Sequence, residues 1–582
     1  MWLPVLLVYF VVCSWACFRV LVYACRWRTR RRYGVAPGAT MVGFFHPFCA
    51  GGGGGERVLW RAVHTLSRLS NDLGTPLHVL IYTGDVDIKP EDILSRVARQ
   101  FDISVDPAAL PVSFVYLRRR RLLDASLYPV LTMLAQSLAS VVLAAEALCR
   151  GTPDLFIDTT GFAFSFPVAW LAGCSVAAYV HYPTISTDML SRVRDRRPSH
   201  NNSAWIASSV AVSWAKLLYY RAFACMYGVA GGFFASRVMV NSSWTRGHIA
   251  ALWRRSRPPT VVFPPCDTSE LETLPINSEG RERCALSVGQ FRPEKDHGLQ
   301  VCALATLRKI GRDSDGESPC FDDVRLVILG GCRNDDDRAV LERTRSLAVD
   351  LGVSDRVEFV VNCSFDELKA WLGRASVGLH TMWNEHFGIG VVEMMAAGMV
   401  TIAHRSGGPA ADIVVPLPDG RITGFLAETP QEYAEAMAKV FSEKGRTQTM
   451  AATVGSSRAG GDQLPEGEDD EAVQGKGLAL QQQQQQVEGG GSNDARDGGE
   501  NAEQQKQEGG GGGEEEVGRQ EERRGCVFAS EAVRVAGRES ARRFSNQVFD
   551  RAFAAEFVEL LKNVRPGFPA FAPGSSSRNK ED

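Results

Sequence analysis

Residues 384–412 read NEHFGIGVVEMMAAGMVTIAHRSGGPAAD, and the rest of the chain is organised around them. The stretch opens with two carboxylates, Glu385 and Glu393, separated by seven residues. Between them lies Phe387-Gly388-Ile389-Gly390, and a helical pattern (Val391, Val392, Met394, Met395) follows. Glycines just before a helix let the backbone come close to a ligand and leave the first-turn N–H groups free for an anion. Glu393, near the start of that helix, is placed to accept hydrogen bonds from hydroxyls. Val400–His404 then reads as a short strand, and Ser406-Gly407-Gly408-Pro409 as a glycine turn opening another helix. Two glycine-marked helix starts so close together suit a nucleotide diphosphate.

Working outward, short β-branched runs alternate with helical segments. Strands are expected at Ala285–Val288, Leu326–Leu329, Val357–Val361, Val377–His380 and Thr401–His404. An earlier set is expected at Thr40–Phe45, Leu77–Tyr82, Val112–Leu117, Leu155–Asp158, Ser175–His181, Val238–Asn241 and Val261–Phe263. This alternation argues for the α/β class, with two Rossmann-like, doubly wound parallel sheets. The first domain spans 26–270 and the second 281–453, joined by a polar linker at Cys266–Gly280 that carries Pro275 and Asn277. Ligand at the carboxyl ends of both sheets would lie in a cleft between the domains.

The chain has 582 residues, 45% hydrophobic and 23% charged, which is ample for two cores. A net charge of −3 gives no argument for nucleic acid. Fourteen cysteines run from Cys13 to Cys526 with no C-x-x-C pair. That argues against a zinc or redox motif and fits buried thiols in a reducing compartment, so no metal is expected.

Trp2–Phe18 is apolar, and the run resumes at Val20–Cys25 after Arg19. No basic region precedes it, whereas Arg26, Arg28, Arg30, Arg31 and Arg32 follow at once. Residues 1–25 therefore read as a transmembrane anchor with a lumenal N-terminus and a cytosolic remainder. A cleaved signal peptide is the alternative, and the order of the charges disfavours it. Leu127–Leu148 is a second apolar segment, read as a buried or membrane-grazing crossover helix. Ala204–Ser236 is a third, equally readable as core or as a surface against a bilayer. Residues 454–525, with Gln481–Gln486 and Gly509–Gly513, hold too little apolar surface to order and read as a disordered insertion. Helical patterning returns over 526–565, at Val527–Val535 and Phe544–Leu561. Sequons at Asn201, Asn241 and Asn362 are assigned no function.

Several residues carry candidate chemistry. Five glycines, 51–55, sit between a strand and a helix; they lack the Lys-Ser/Thr of a P-loop, so ATP and NAD are poor fits. Their N–H groups can still hold a phosphate oxygen or an acceptor sugar, and a flexible turn is the plain alternative. Arg292 and Lys295 follow a strand, where two cations can neutralise a pyrophosphate leaving group without metal. Glu294 and Asp296 interleave them, so a solvated charged loop stays open. His181 ends an apolar run before Tyr182-Pro183, either as a hydrogen-bonded core residue or as a contact to the transferred sugar. His46, beside Pro47, has the weaker version of that claim. Asp158 in DTTG either steadies the same region or caps a turn.

The quoted stretch resembles the E-x7-E signature of retaining GT-B glycosyltransferases. Phe44–Val63 (FFHPFCAGGGGGERVLWRAV), Val180–Ser186 (VHYPTIS) and Gly289–Gly298 (GQFRPEKDHG) narrow the match. They resemble the endoplasmic-reticulum α-1,2-mannosyltransferases that extend the dolichol-linked oligosaccharide, over most of 1–450 and again near Cys526. The resemblance implies a GT-B fold and no cofactor. It implies mannose transfer from GDP-mannose to a dolichol-diphosphate oligosaccharide, Man3GlcNAc2 to Man5GlcNAc2, on the cytosolic face of the endoplasmic reticulum membrane. It also implies a complex with other dolichol-pathway mannosyltransferases. By resemblance, His181 and Glu385 are catalytic, while Arg292, Lys295, Gly388, Gly390 and Glu393 hold the donor. His46, Gly53, Gly54, Gly55 and Asp158 form an acceptor or phosphate loop. The rival readings are another cytosolic-face GT-B transferase of lipid-linked glycans and a non-catalytic scaffold recruiting partners through 454–525.

Overall fold

Two parallel sheets organise the chain in the computed structural model, which describes residues 2–194, 210–255, 257–277, 280–312, 321–442 and 530–564. The expected insertion at 454–525 and the sequon at Asn201 lie outside the described residues. The first sheet contains β1 (Thr40–Phe45), β2 (Leu77–Thr83), β3 (Val112–Tyr116), β4 (Leu155–Asp158), β5 (Ser175–Val180), β6 (Arg237–Val240) and β7 (Thr260–Val261), in the order β3-β2-β1-β4-β5-β6-β7. The second contains β8 (Glu282–Val288), β9 (Arg325–Gly330), β10 (Val357–Val361), β11 (Ala375–His380), β12 (Val400–His404) and β13 (Phe425–Ala427), in the order β10-β9-β8-β11-β12-β13. Each expected strand is found within a few residues. β13 is the addition, three residues long at a sheet edge.

Helices cover both faces of the first sheet, so β1 and β2 are buried along their whole length. This is why they read as continuous apolar runs rather than alternating ones. Both sheets reverse their strand order beside the first strand, between β1 and β4 and between β8 and β11. A crevice opens at the carboxyl ends of strands at such a switch point. The loops after β1, β4, β8 and β11 are therefore the ones placed to carry a site.

Among the described residues the chain crosses between the lobes twice. Beyond β7, Cys266 pairs in parallel with Ser545, and the Cys266 N–H donates to the Phe544 carbonyl at 2.9 Å. The helix Ser530–Ala541 packs on the second lobe, where Arg538 donates to the carbonyls of Ala396, Glu272 and Leu274. The last helix, Asn546–Val564, returns to the first lobe. Its Phe549, Phe553, Phe557 and Leu561 share a core with Val58, Leu59 and Leu66. Arg61 clasps the Asp550 carboxylate with two hydrogen bonds, at 2.7 and 2.5 Å.

At the N-terminus one helix runs from Trp2 to Arg32, past the expected end of the apolar segment. Its last turns dock on the first lobe: Arg30 donates to Asp154 at 2.8 Å, and Thr152 donates its N–H to the Thr29 hydroxyl at 2.8 Å. Among the described residues, Thr132–Arg150 is the one helix long and apolar enough to cross a membrane. Its Leu143, Ala144 and Ala147 are buried against the sheet, while Leu138 and Val142 are exposed. It is a crossover helix with one apolar face turned outward.

Phe557 is fully buried where the last helix meets the first lobe. Phe557→Ala is expected to lower stability by about 3–5 kcal/mol. A denaturant midpoint unchanged from the wild type would contradict this packing.

Candidate active site

The glycine loop after β1 is held from within. Glu56 accepts the Gly53 N–H at 2.7 Å, forming the reciprocal half of a capping box at the start of the helix Gly54–Asp72. His46 Nε2 lies 3.7 Å from the other Glu56 oxygen, and its Nδ1 bonds the Thr159 hydroxyl at 2.8 Å. Burial pushes the Glu56 carboxyl up, but His46 and the backbone donors reverse this and leave it below its ordinary value. Gly54 sits against the second lobe, where an added Cβ would fall 2.9 Å from Ile389 Cδ1.

Asp158, at the end of β4, is fully buried and accepts the N–H groups of Thr160, Gly161 and Phe162. It ties a turn whose Thr159 and Thr160 face the cavity, while its own carboxylate points into the turn. Burial raises its pKa to about 6 against those donors. His181, just past β5, has a buried Nε2 with no partner. An added Cβ on Gly55 would lie 3.6 Å from that nitrogen. Burial lowers the pKa of His181 to about 3, so the ring is neutral at physiological pH and presents one bare nitrogen to the loop.

From the second lobe come Lys295, after β8, and Glu385, after β11. Lys295 Nζ donates to Glu385 Oε2 at 2.7 Å, and His380 Nε2 lies 3.2 Å from the same oxygen. Burial pushes the Glu385 carboxyl up, but the His380 hydrogen bond and the Lys295 charge outweigh it. The group is held well below the usual carboxylate range. The second glycine turn buttresses this loop. Gly407 has φ +64°, and a Cβ there would strike the Glu385 carbonyl at 2.2 Å. The Gly408 N–H donates to that carbonyl at 2.7 Å. The helix Ile389–Ala396 begins immediately beyond, capped by Gly388.

These pieces share one cavity of about 550 Å³. Its walls include His46, Gly53, Gly54, Gly55 and His181 from the first lobe, and Lys295, Glu385, Gly388 and Gly390 from the second. Among the expected residues, Glu393, Arg292 and Asp158 stand outside the lining. Glu393 lies on the next helical turn and pairs with Arg57 of the first lobe at 3.0 Å. Burial raises its pKa and Arg57 opposes the rise. Arg292 is 40% exposed and lies 3.6 Å from Glu294, the neighbour that its sequence context already flagged.

Sequence reading passed over four side chains. His380 ends β11, and the carboxyl-end rule alone would have marked it. Arg57 follows the glycine loop, but its partner is 336 positions away and nothing local announces the pair. His386 stacks on Tyr182 with ring centroids 4.0 Å apart, another contact between lobes. Asn384 donates to Asp188 across the same junction at 2.8 Å. Among the described residues no cluster of His, Cys, Asp and Glu is arranged to hold a metal ion.

Known proteins resemble this chain over both lobes. Residues 39–253 match the family described as ALG11 mannosyltransferase N-terminus, and residues 272–454 match glycosyl transferases group 1. A Mus musculus protein named GDP-Man:Man(3)GlcNAc(2)-PP-Dol alpha-1,2-mannosyltransferase is 48% identical over 406 residues, covering 69% of this chain and 80% of the relative. The Homo sapiens protein of that name is 48% identical over 405 residues, with the same coverage. Among solved structures, Anabaena Alr3699/HepE in complex with UDP and glucose aligns at a TM-score of 0.43 and 16% identity, over 72% of this chain and all of that one. That likeness is too slight to argue from.

Asp158 gives the site a pH signature. Its folded pKa, about 6, exceeds the unfolded value near 4, so the folded state holds the proton more tightly. The resulting stabilisation is full below about pH 4 and is lost as pH rises through about 6, amounting to about 3 kcal/mol. Asp158→Asn, which keeps the acceptor oxygen, is expected to lack that slope, so that the stability difference between variant and wild type changes between about pH 4 and 6. Parallel pH–stability curves for the two proteins would contradict it.

Proposed function

The chain belongs to the family of GDP-Man:Man(3)GlcNAc(2)-PP-Dol alpha-1,2-mannosyltransferases, and from that premise we propose how its cavity works. The enzyme transfers mannose from GDP-mannose, in α-1,2 linkage, to a dolichol-diphosphate oligosaccharide, extending Man3GlcNAc2 to Man5GlcNAc2. The second lobe (281–453) holds the donor and the first (26–270) receives the acceptor, as in GT-B enzymes.

The observation that carries this reading is the meeting of Lys295, Glu385 and His380 with the glycine loop and His181 around one cavity. Lys295 and the N–H groups at Gly388–Gly390 take the donor diphosphate, a combination of point charge and helix N-terminus suited to an anion. Arg292, from its exposed position, turns in to share that charge. Glu393 exchanges Arg57 for the ribose hydroxyls of GDP. Glu385, kept ionised by its two partners, faces the mannose ring and supports the positive charge that develops as the sugar–phosphate bond breaks. His181, neutral and with a bare nitrogen, accepts a hydrogen bond from a sugar hydroxyl. The departing phosphate and the attacking hydroxyl share one face of the sugar, so the α configuration is retained; that stereochemistry follows from family membership.

The setting is the cytosolic face of the endoplasmic reticulum membrane. The N-terminal helix supports an anchor: Tyr9, Phe10, Trp15, Val20 and Leu21 are exposed on it, ahead of the basic turns that dock on the first lobe. A complex with other dolichol-pathway mannosyltransferases belongs to the same reading.

Purified full-length protein with a trimannosyl diphosphate-lipid acceptor is expected to use GDP-mannose. Glu385→Gln is expected to lower kcat on the order of a hundredfold or more. Transfer only from a different sugar nucleotide, or an unimpaired Glu385→Gln enzyme, would overturn the assignment.

A further inference from the structure

Glu385 sits between two residues that both reach the first lobe. Asn384 donates to Asp188 at 2.8 Å, and the His386 ring stacks on Tyr182 with centroids 4.0 Å apart and planes 25° apart. Trp244, in the first turn of the helix Ser243–Trp253, lies 5.6 Å from the same imidazole at 21°. Tyr182 and Trp244 are themselves 6.3 Å apart and within 7° of parallel. These distances fit two rings lying side by side with the imidazole laid across both. The platform is braced in turn. His248 meets the Trp244 ring at 4.2 Å and 75°, and its Nε2 lies 3.6 Å from Asp188. Contacts therefore close a circuit from Asn384 through Asp188, His248, Trp244 and His386, with Glu385 between its two ends.

The loop needs such holding. Asn384 takes a left-handed φ of +52°, a conformation that a residue other than glycine keeps where its surroundings fix it. The Glu385 carboxylate has Lys295 and His380 as partners, and under the reading above Lys295 turns to the donor diphosphate. The carboxylate then shares one of its two partners while the sugar–phosphate bond breaks. The Asn384–Asp188 bond is polar and open to exchange, whereas a ring stack carries no charge for a ligand to take. Burial lowers the pKa of His386 to about 4, so the imidazole is neutral at physiological pH and packs as an aromatic ring. Tyr182 and Trp244 are half-buried, at places where core packing does not by itself demand large rings.

We propose that Tyr182 and Trp244 are positioning residues for Glu385, acting across the cleft through His386. Holding the imidazole fixes the loop that carries the carboxylate. The lobe that receives the acceptor thus sets the geometry of the group that steadies the breaking bond on the donor side. This assignment rests on the glycosyl-transfer reading above.

Full-length wild type, Tyr182→Ala and Trp244→Ala are assayed with GDP-mannose and a trimannosyl diphosphate-lipid acceptor, and both substitutions are repeated in a Glu385→Gln background. Each alanine variant is expected to lose roughly 10- to 100-fold in kcat, the cost of a displaced reacting group, while binding GDP within about twofold of the wild type by calorimetry. In the Glu385→Gln background the same substitutions should cost less than about threefold, because the group they position is already gone. Tyr182→Phe and Trp244→Phe, which keep a ring, should recover most of kcat. Equal fold-losses in the two backgrounds overturn the proposal, since a clasp that only joins the lobes, or a direct contact with the acceptor, acts independently of Glu385. Full kcat in both alanine variants overturns it, as does a Tyr182→Phe enzyme as impaired as Tyr182→Ala. Loss of GDP binding in the alanine variants also overturns it, because the rings would then support the fold as a whole. Absence of transfer from GDP-mannose by the wild type would instead overturn the functional reading.

Discussion

The 2.7 Å contact between Lys295 and Glu385 is the constraint on which the site depends. Both side chains leave water to reach the cavity wall, and a carboxylate so placed survives as an anion only with partners. Lys295 and His380 supply them. The pair in turn requires β8 and β11 to be neighbours, so that the loops leaving their carboxyl ends converge. It also requires Gly407 and Gly408 to press on the backbone of residues 384–387, which a side chain larger than hydrogen at either position would prevent. Sheet order, turn chemistry and charge pairing thus lead to the same few atoms.

The two lobes meet through polar contacts that a ligand can exchange. Arg57 reaches Glu393, Asn384 reaches Asp188, and the Ser243 N–H donates to Asp412 at 2.7 Å. None of these is a large apolar interface; the apolar joint is made instead by the returning C-terminal helices. Burial alone would leave the Glu393 carboxylate costly, and Arg57 offsets part of that. Under the proposed reading the ribose hydroxyls take over from Arg57, and the freed guanidinium remains beside an arriving diphosphate.

Much of the architecture was legible because parallel strands buried on both faces are short, β-branched and bounded by turn residues. β1, β4 and β10 coincide with the runs expected from the sequence. β13 was not legible, since three residues give no period. Around the cavity, Lys295, His181 and the glycine loop were readable from position after a strand, and Glu385 from its spacing to Glu393. Asp158 was ambiguous in DTTG, and its three accepted N–H groups make it a turn anchor. The contacts that join the lobes were opaque, because Arg57 with Glu393 and Tyr182 with His386 are distant in sequence and ordinary in their local context. Arg292 carried its own warning in Glu294, two residues on.

Under the proposed reading Lys295, paired with Glu385 in the cavity wall, becomes the counter-charge of the donor diphosphate. Calorimetric titration of GDP into the wild type and Lys295→Ala tests it most directly. The account predicts affinity lower by roughly 10- to 100-fold in the variant, the worth of one charge-assisted contact. Equal affinity for GDP in the two proteins would contradict it.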